Sequence, residues 1–384
     1  MKLSIIHCVT DDKFLDDAIY MFDSIEWIEN KYVIVSKKNS PFNFLKSKDV
    51  INIIHPNEFQ SICEKSNSCD VIVLHGFSSL QLNLIPLINK QIKVIWFSWG
   101  YDIYSNKWPE FKLIDIPNRI KGDVTGLQLY NKLKLIIKST LKYGLSGREL
   151  FKKSINRVDY YSGVFPIEYE LLKKHPFFTA KRIDFNYTKP DLYREENLKS
   201  DPIYTGHNIL VGNSASYYSN HMDSFDKIAT INLQDRKIIV PLSYGNTFKY
   251  VCKVIEYGKK LFGNNFNPIT EFIPFEAYNK LLKSCSIAIF NIEQQAAVGN
   301  ILIAIWNGTK VFMPTDSMGY KHFNEIGVKI YPLRNRLSQT DIDTPIEPSE
   351  IYANRYAIYR FYSFEMVKSK LEQSLKTIRV IRLR

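Results

Sequence analysis

The sequence predicts an α/β protein of two domains, each a parallel sheet flanked by helices. Three observations carry this expectation. Short runs of β-forming residues alternate with helix-like segments through both halves of the chain. The 384 residues are too many for one ordinary core and suit two domains of roughly 150 to 200 residues. Between the two alternations lies Tyr187 to His207, which carries two prolines, many charges and little periodicity, and reads as a linker.

In the first half the strand-like runs are Leu3 to Val9, Tyr32 to Val35, Val50 to Ile54, Val71 to Leu74 and Val94 to Phe97. In the second half they are Ile209 to Val211, Lys237 to Val240, Asn267 to Phe272, Ile287 to Asn291, Lys310 to Phe312 and Lys329 to Tyr331. Leu337 to Pro348 is polar and contains proline, and a long helical run follows from Ser349 to about Lys376. The expected domains are therefore 1–190 and 207–348, with a basic terminal helix, 349–384, placed to reach back to the first domain. The chain holds no internal repeat and no low-complexity tract.

A composition of 45% apolar and 14% aromatic residues supports two substantial cores and excludes a disordered chain. The cysteines (Cys8, Cys63, Cys69, Cys252 and Cys285) are scattered and mostly beside apolar runs, which reads as buried thiols in a reducing compartment. Leu3 to Val9 is short and is soon followed by Asp11 and Asp12, so it reads as a first strand and not as a signal peptide. No run approaches the roughly 18 apolar residues that cross a bilayer. The expected location is cytoplasmic, with any membrane met only at its surface.

The net charge of +12 is unevenly placed. Arg119 to Arg157 carries an excess of eight positive charges and Tyr352 to Arg384 an excess of six, which leaves the rest of the chain at −2. Localised basic surface implies an anionic partner. Gly126 to Leu145 reads as a basic amphipathic helix, with Lys134, Lys138 and Lys142 beside Tyr130, Leu133, Ile137 and Leu141. Such a helix suits an anionic membrane surface, or equally a core-packed position with a solvated lysine face. No nucleic-acid-binding pattern accompanies the charge, so nucleic acid is not an expected partner.

The richest motif is Ile209-Leu210-Val211-Gly212-Asn213-Ser214, followed by Asn220-His221 at the head of a helix. In α/β units, ligands sit beyond the carboxyl end of such a strand. Gly212 allows close backbone approach, Asn213 and Ser214 offer short donors, and the next helix turns its positive end to the same spot. That suits a phosphate, although many strand-to-helix turns read Gly-Asn-Ser for backbone reasons alone. Tyr244, after the strand ending at Pro241, could cover a nucleobase or pack over its own turn. Glu293-Gln294-Gln295 precedes Gly299 and Asn300 at a helix start, where small residues admit a phosphate and Glu293 could accept from hydroxyls.

In the first half, His75-Gly76 ends an apolar strand. His75 suits positioning an acceptor hydroxyl or taking its proton, or simply bonding a neighbouring loop. Trp99-Gly100-Tyr101-Asp102 follows the next strand. Trp99 and Tyr101 could stack on sugar rings, and Asp102 is either a general base among aromatics or a helix-capping aspartate in a packing cluster. Asp341-Ile342-Asp343 is the only Asp-x-Asp, it follows no apolar strand, and no HxxxH, HExxH or P-loop occurs, so neither metal nor cofactor is expected.

These motifs, in this order, resemble the bacterial 4-acetamido-4,6-dideoxygalactose (Fuc4NAc) transferases of glycosyltransferase family 56. The resemblance runs from Val71 to Tyr331 through His75-Gly76, Trp99 to Tyr104, Val211 to Ser214, Ser219-Asn220-His221, Val240 to Gly245, Phe275 to Tyr278 and Glu293 to Gln295. It implies a metal-independent GT-B enzyme, with two Rossmann-like domains facing a cleft. The first would hold a lipid-linked saccharide through Gly76, Trp99 and Tyr101, with Asp102 and His75 as the catalytic pair. The second would bind a nucleotide-sugar donor, a dTDP-sugar, through Gly212, Asn213, Ser214, Asn220, His221, Tyr244, Glu293, Gln294, Gln295, Gly299 and Asn300. The implied setting is the cytoplasmic face of an inner membrane, held peripherally by its anionic surface, in the synthesis of enterobacterial common antigen or an O-antigen. Ala296 and Ala297 stand where the family tends to have glycine after the glutamine pair, which leaves the donor sugar open. A transferase for another deoxyhexose, such as one using GDP-fucose, and a non-catalytic nucleotide-sugar-binding protein are the rival readings.

Overall fold

The computed structural model describes residues 2–9, 14–35, 45–46, 51–54, 69–77, 81, 85–104, 113–114, 146–188, 190–200, 204–245 and 248–382. They form two compact units. The described residues up to Leu192 join those from Tyr362 onward in the first, and Tyr193–Phe361 make the second.

The first unit holds a parallel sheet of β1 (Leu3–Val9), β2 (Ile28–Val35), β3 (Ile51–Ile54), β4 (Val71–His75), β5 (Lys93–Phe97), β6 (Tyr160–Ser162) and β7 (Lys181–Arg182), in the order β3-β2-β1-β4-β5-β6-β7. Among the described residues before the linker, its helices are α1 (Leu15–Asp23), α2 (Tyr101–Tyr104), α3 (Ser146–Asn156) and α4 (Pro166–Leu172). β4 is buried at every position and β1 at all but Ser4, as strands covered on both faces must be. β6 and β7 are too short to leave a pattern in the sequence, and β7 is an exposed two-residue edge.

The second unit repeats the plan with β8 (Asn208–Val211), β9 (Ile238–Pro241), β10 (Phe266–Ile269), β11 (Cys285–Ile289), β12 (Lys310–Met313) and β13 (Tyr331–Pro332), in the order β10-β9-β8-β11-β12-β13. Its helices are α5 (His221–Ile228), α6 (Phe248–Phe262), α7 (Phe275–Lys283), α8 (Val298–Trp306), α9 (Met318–Glu325), α10 (Gln339–Asp343) and α11 (Pro348–Tyr362). Strand order reverses between β1 and β4 in one sheet and between β8 and β11 in the other. At such a reversal the crossover helices leave to opposite faces and open a crevice beyond the strand ends, where ligands of α/β sheets bind.

Three expectations change. The terminal helix is two helices, α11 and α12 (Phe364–Arg382), because the buried Ser363 accepts from Met366 N through its hydroxyl and restarts the helix as a cap. Along α12, Val367, Leu371, Leu375 and Ile378 fall on one face and pack with Leu3, Ile5, Met21 and Phe22 in the first unit's core. The expected linker is not free of structure either, since Tyr187 packs within the first unit and Tyr193 lies edge-on to Trp306 in the second. Finally, Asp341-Ile342-Asp343 lies in α10. There Asp341 closes a capping box with Ser338, and Asp343 pairs with Arg236.

Cys8, Cys69 and Cys285 are buried thiols and Cys252 is exposed. The basic helix expected over 126–145 lies outside the described residues. Among the described residues, no helix is long and apolar enough to cross a membrane.

Candidate active site

In the first unit, β4 delivers His75 to the strand-order reversal, where the imidazole is 1% exposed. Its Nε2 lies 3.0 Å from Nδ1 of His7, on the neighbouring β1, and its Nδ1 lies 2.6 Å from the Tyr187 hydroxyl. His7 Nε2 continues to Asn30 Oδ1 at 3.1 Å, and Asn30 Nδ2 donates to Asp23 at 2.8 Å. The Trp99 indole donates to the Tyr187 oxygen at 2.8 Å. Burial, with the second imidazole beside it, holds His75 well below the usual histidine range, and burial pulls His7 down to about 3. Both rings are therefore neutral near pH 7, whereas burial keeps the Tyr187 phenol protonated. Phe14, Trp99 and Tyr101 gather above this pair, with Phe14 and Tyr101 more than 40% exposed. They form an aromatic rim suited to a sugar face.

Asp102 sits under that rim, 2% exposed. Its Oδ2 accepts from Phe77 N at 3.0 Å and from the Trp96 indole at 2.8 Å, and its Oδ1 accepts from Trp99 N at 3.0 Å. Burial pushes its pKa up to about 6 against the pull of these donors. The carboxylate thus ties the turn after β4 to the turn after β5. Gly76 has φ +77°, and a Cβ there would fall 2.6 Å from the Tyr101 hydroxyl, so glycine lets the two turns meet. A second buried carboxyl, Glu168, accepts from Tyr104 and Phe165 N and is pushed up to about 7 by burial.

In the second unit, β8 runs into Gly212 at φ +70°, whose N–H donates to Ile289 O on β11. The turn bends back on α5. A Cβ on Gly212 would lie 2.7 Å from His221 Nε2. His221 is fully buried, meets the Tyr250 hydroxyl through Nδ1 at 2.8 Å, and is held neutral by burial at a pKa of about 3. Asn220 donates to Asn291 O at 2.9 Å, so it joins the loops after β8 and β11 across the strand-order reversal. Asn213 donates to the Tyr244 hydroxyl at 3.3 Å, with the Tyr244 ring half exposed. Ser214 O accepts from the Ser219 hydroxyl.

The loop after β11 carries Glu293, Gln294 and Gln295 to α8, which begins at Val298. Its cap, Ala297, has no side chain to satisfy the first N–H groups of the helix and takes φ +59°, a left-handed conformation that favours glycine. The alanine therefore stands where backbone geometry asks for a glycine. Gly299 and Asn300 lie in the first turn, and a Cβ on Gly299 would meet nothing within 4 Å. Among the described residues, Asn220 Oδ1, His221 Nε2 and Gln295 Oε1 are buried without a hydrogen-bond partner. The first-turn N–H groups of a helix and neutral polar side chains at a strand-order reversal are the kind of groups that suit a phosphate-bearing ligand. No group of three or more His, Cys, Asp or Glu that could hold a metal ion occurs among the described residues.

The structure thus places His75, Gly76, Trp99, Tyr101 and Asp102 at the carboxyl ends of strands in the first unit's sheet, and the residues from Gly212 to Asn300 named above at the carboxyl ends of strands in the second unit's sheet. Sequence reasoning missed His7, Tyr187, Asn30 and Asp23. A lone histidine inside the apolar run of β1 was the signal for His7, but Tyr187 was hidden in a stretch read as linker.

Two doubly wound parallel units with a helix returning from the second to the first are the architecture of the GT-B glycosyltransferases. Over nearly the full length of each chain the structure is similar to sucrose-phosphate synthase from Thermosynechococcus elongatus (TM-score 0.65, 10% identity, 99% of this chain and 100% of that one). It is also similar to a glycosyltransferase from Rickettsia africae (TM-score 0.62, 13% identity, 98% of each chain). A third similar structure is Anabaena HepE in complex with UDP-glucose (TM-score 0.62, 12% identity, 98% of this chain and 100% of that one). Residues 116–345 match the family model described as 4-alpha-L-fucosyltransferase glycosyl transferase group 56. The chain belongs to that family and is a glycosyltransferase of the hexosyl-transferring kind.

Proposed function

We propose that the protein transfers 4-acetamido-4,6-dideoxygalactose from its dTDP conjugate to an undecaprenyl-pyrophosphate-linked saccharide, in the synthesis of enterobacterial common antigen or an O-antigen. The observation that carries this reading is the family match over residues 116–345, which takes in the loops at the carboxyl ends of β8, β9, β11 and β12. In this reading the second unit is the donor domain. The donor diphosphate lies against the first turn of α8 and the Gly212-Asn213-Ser214 turn, with His221, Gln294, Gln295 and Asn300 as neutral donors and no metal, while Asn220, whose amide is committed to Tyr218 O and Asn291 O, fixes the loop. Tyr244 covers the nucleoside and Glu293 accepts from its hydroxyls.

The first unit is the acceptor domain, with Gly76, Trp99 and Tyr101 against the saccharide. An acceptor hydroxyl attacks the anomeric carbon, the bond from that carbon to the phosphate oxygen breaks, and the nucleoside diphosphate leaves. For an inverting transfer, His75, reached through the Tyr187 hydroxyl, takes the hydroxyl proton, while Asp102 holds the turn that carries Trp99. The enzyme works at the cytoplasmic face of an inner membrane, to which the basic stretch 119–157 docks it on anionic lipid.

A thermal-shift panel of dTDP-, UDP- and GDP-sugars, with and without chelator, tests the donor, and mass analysis of the polyprenyl-linked product tests the transfer. A dTDP-sugar at 100 times its Kd stabilises by about 2.7 kcal/mol without metal. Stabilisation by GDP-fucose alone would establish the fucosyl reading, which agrees with the fucosyltransferase in the family model's description. Donor binding without any turnover would leave a nucleotide-sugar-binding protein.

A further inference from the structure

The buried histidine pair belongs to a chain of hydrogen bonds whose direction is fixed at both ends. At one end, an indole N–H can only donate, so the Tyr187 oxygen accepts from Trp99 at 2.8 Å. The Tyr187 hydrogen is then available to His75 Nδ1 at 2.6 Å. At the other end, the Asp23 carboxylate accepts from Asn30 Nδ2 and from the Tyr32 hydroxyl, each at 2.8 Å. With its amide nitrogen turned to Asp23, Asn30 presents Oδ1 to His7, so His7 Nε2 carries the proton of that 3.1 Å bond. A neutral imidazole has one N–H. His7 Nδ1 must then accept, and the donor across the 3.0 Å gap is His75 Nε2. His75 Nδ1 is left bare, which is what the Tyr187 end requires. The opposite direction would set the Asn30 oxygen against an Asp23 oxygen, with two acceptors facing each other.

We infer that His7, Asn30 and Asp23 are positioning residues that hold His75 in one tautomer, with Nε2 protonated and Nδ1 open to the Tyr187 hydroxyl. The inference rests on the proposed function for its catalytic meaning, and deepens it. A proton leaving the acceptor can displace the Tyr187 proton onto Nδ1, whereas the other tautomer would have no lone pair there. The imidazolium so formed keeps its Nε2–H bonded to His7, along a chain that ends on a carboxylate. Asp23 is exposed and Asn30 half-buried, so the far anchor can be altered without opening the core.

The test is side-chain 15N NMR of the full chain, with kinetics of Asp23→Ala and Asp23→Glu. In the wild type both His7 and His75 carry their proton on Nε2. Asp23→Ala frees the Asn30 amide to turn over, His75 shows both tautomers, and kcat falls about fivefold or more while the donor KM stays within about twofold. Asp23→Glu restores the single tautomer and the rate. A wild-type His75 protonated on Nδ1, or nitrogen signals unmoved in Asp23→Ala, overturns the positioning role. A mixed tautomer with undiminished kcat overturns its part in catalysis. If the wild type transfers no sugar from any donor, the proposed function fails, while the NMR result still decides the tautomer.

Discussion

The Trp96 indole donates to Asp102 at 2.8 Å in a setting closed to solvent on both sides. With Phe77 N and Trp99 N on the same carboxylate, this bond makes Asp102 the joint between the two loops that carry the aromatic rim. Asp102→Asn keeps the shape but turns an NH2 group toward donors that need an acceptor. It should destabilise the first unit by about 1–3 kcal/mol, with turnover per folded molecule reduced far less than the roughly 10² to 10⁴ a lost general base costs. Urea unfolding and kinetics on the same preparation check this. A variant of wild-type stability whose kcat has collapsed would make Asp102 the base.

Gly212 and His221 are matched in the same way. The φ of +70° is strained for any L side chain, and a Cβ would meet a ring already fixed by Tyr250. Gly212→Ala should cost about 1–3 kcal/mol of stability and weaken nucleotide binding by displacing the loop. Calorimetric titration together with thermal melting measures both. Wild-type values for the pair would remove Gly212 from the site.

Much of this architecture was legible because apolar runs between polar turns mark buried parallel strands. Leu3–Val9 was read from sequence with its observed bounds, and all six strands of the second sheet were found within a few residues of their places. β6 and β7 escaped because a three-residue and a two-residue strand leave no periodicity to detect. Gly212 and Asn220 were legible because the turn chemistry that draws a ligand is written in adjacent residues. The His7–His75 pair was not, since its members lie 68 positions apart and meet only because β1 and β4 are neighbours in the sheet. Tyr187 fails the same test at a separation of 112 residues from His75.

Ala297 offers a stability gain. A residue with a Cβ in the left-handed region costs about 1–3 kcal/mol, which glycine avoids. Ala297→Gly should raise the melting temperature even though the unfolded chain becomes more flexible. Differential scanning calorimetry decides, and a lower melting temperature would mean that the methyl group packs favourably enough to outweigh the strain.

Glu293 separates donor from acceptor binding. Its backbone carbonyl accepts from Met318 N at 3.0 Å, a bond that truncating the side chain leaves in place. Glu293→Ala should therefore keep the loop's backbone anchor and weaken nucleotide-sugar affinity by about 1–3 kcal/mol. The acceptor KM should stay unchanged. An unaltered donor Kd by titration calorimetry would give the side chain a purely structural part.

His221 sets a pH limit on the second unit. Burial lowers its folded-state pKa to about 3, below the ordinary 6.5 that it regains on unfolding. Between these values the unfolded chain binds the proton that the folded one refuses. The stability tied to the neutral ring is therefore complete above pH 6.5 and is lost as pH falls toward 3, at up to about 1.4 kcal/mol per pH unit. His7 and His75 act in the same direction in the first unit, and raised carboxyls such as Glu168 act oppositely, so the raw curve mixes several groups. The difference between wild type and His221→Gln isolates one of them. Urea unfolding from pH 4 to pH 7, followed through methyl NMR signals of the second unit's core such as those of Val211 and Val240, should show the variant losing less stability per pH unit than its parent. Parallel curves would mean that His221 is already protonated, or freely solvated, in the folded protein, and would leave the turn at Gly212 without its neutral partner.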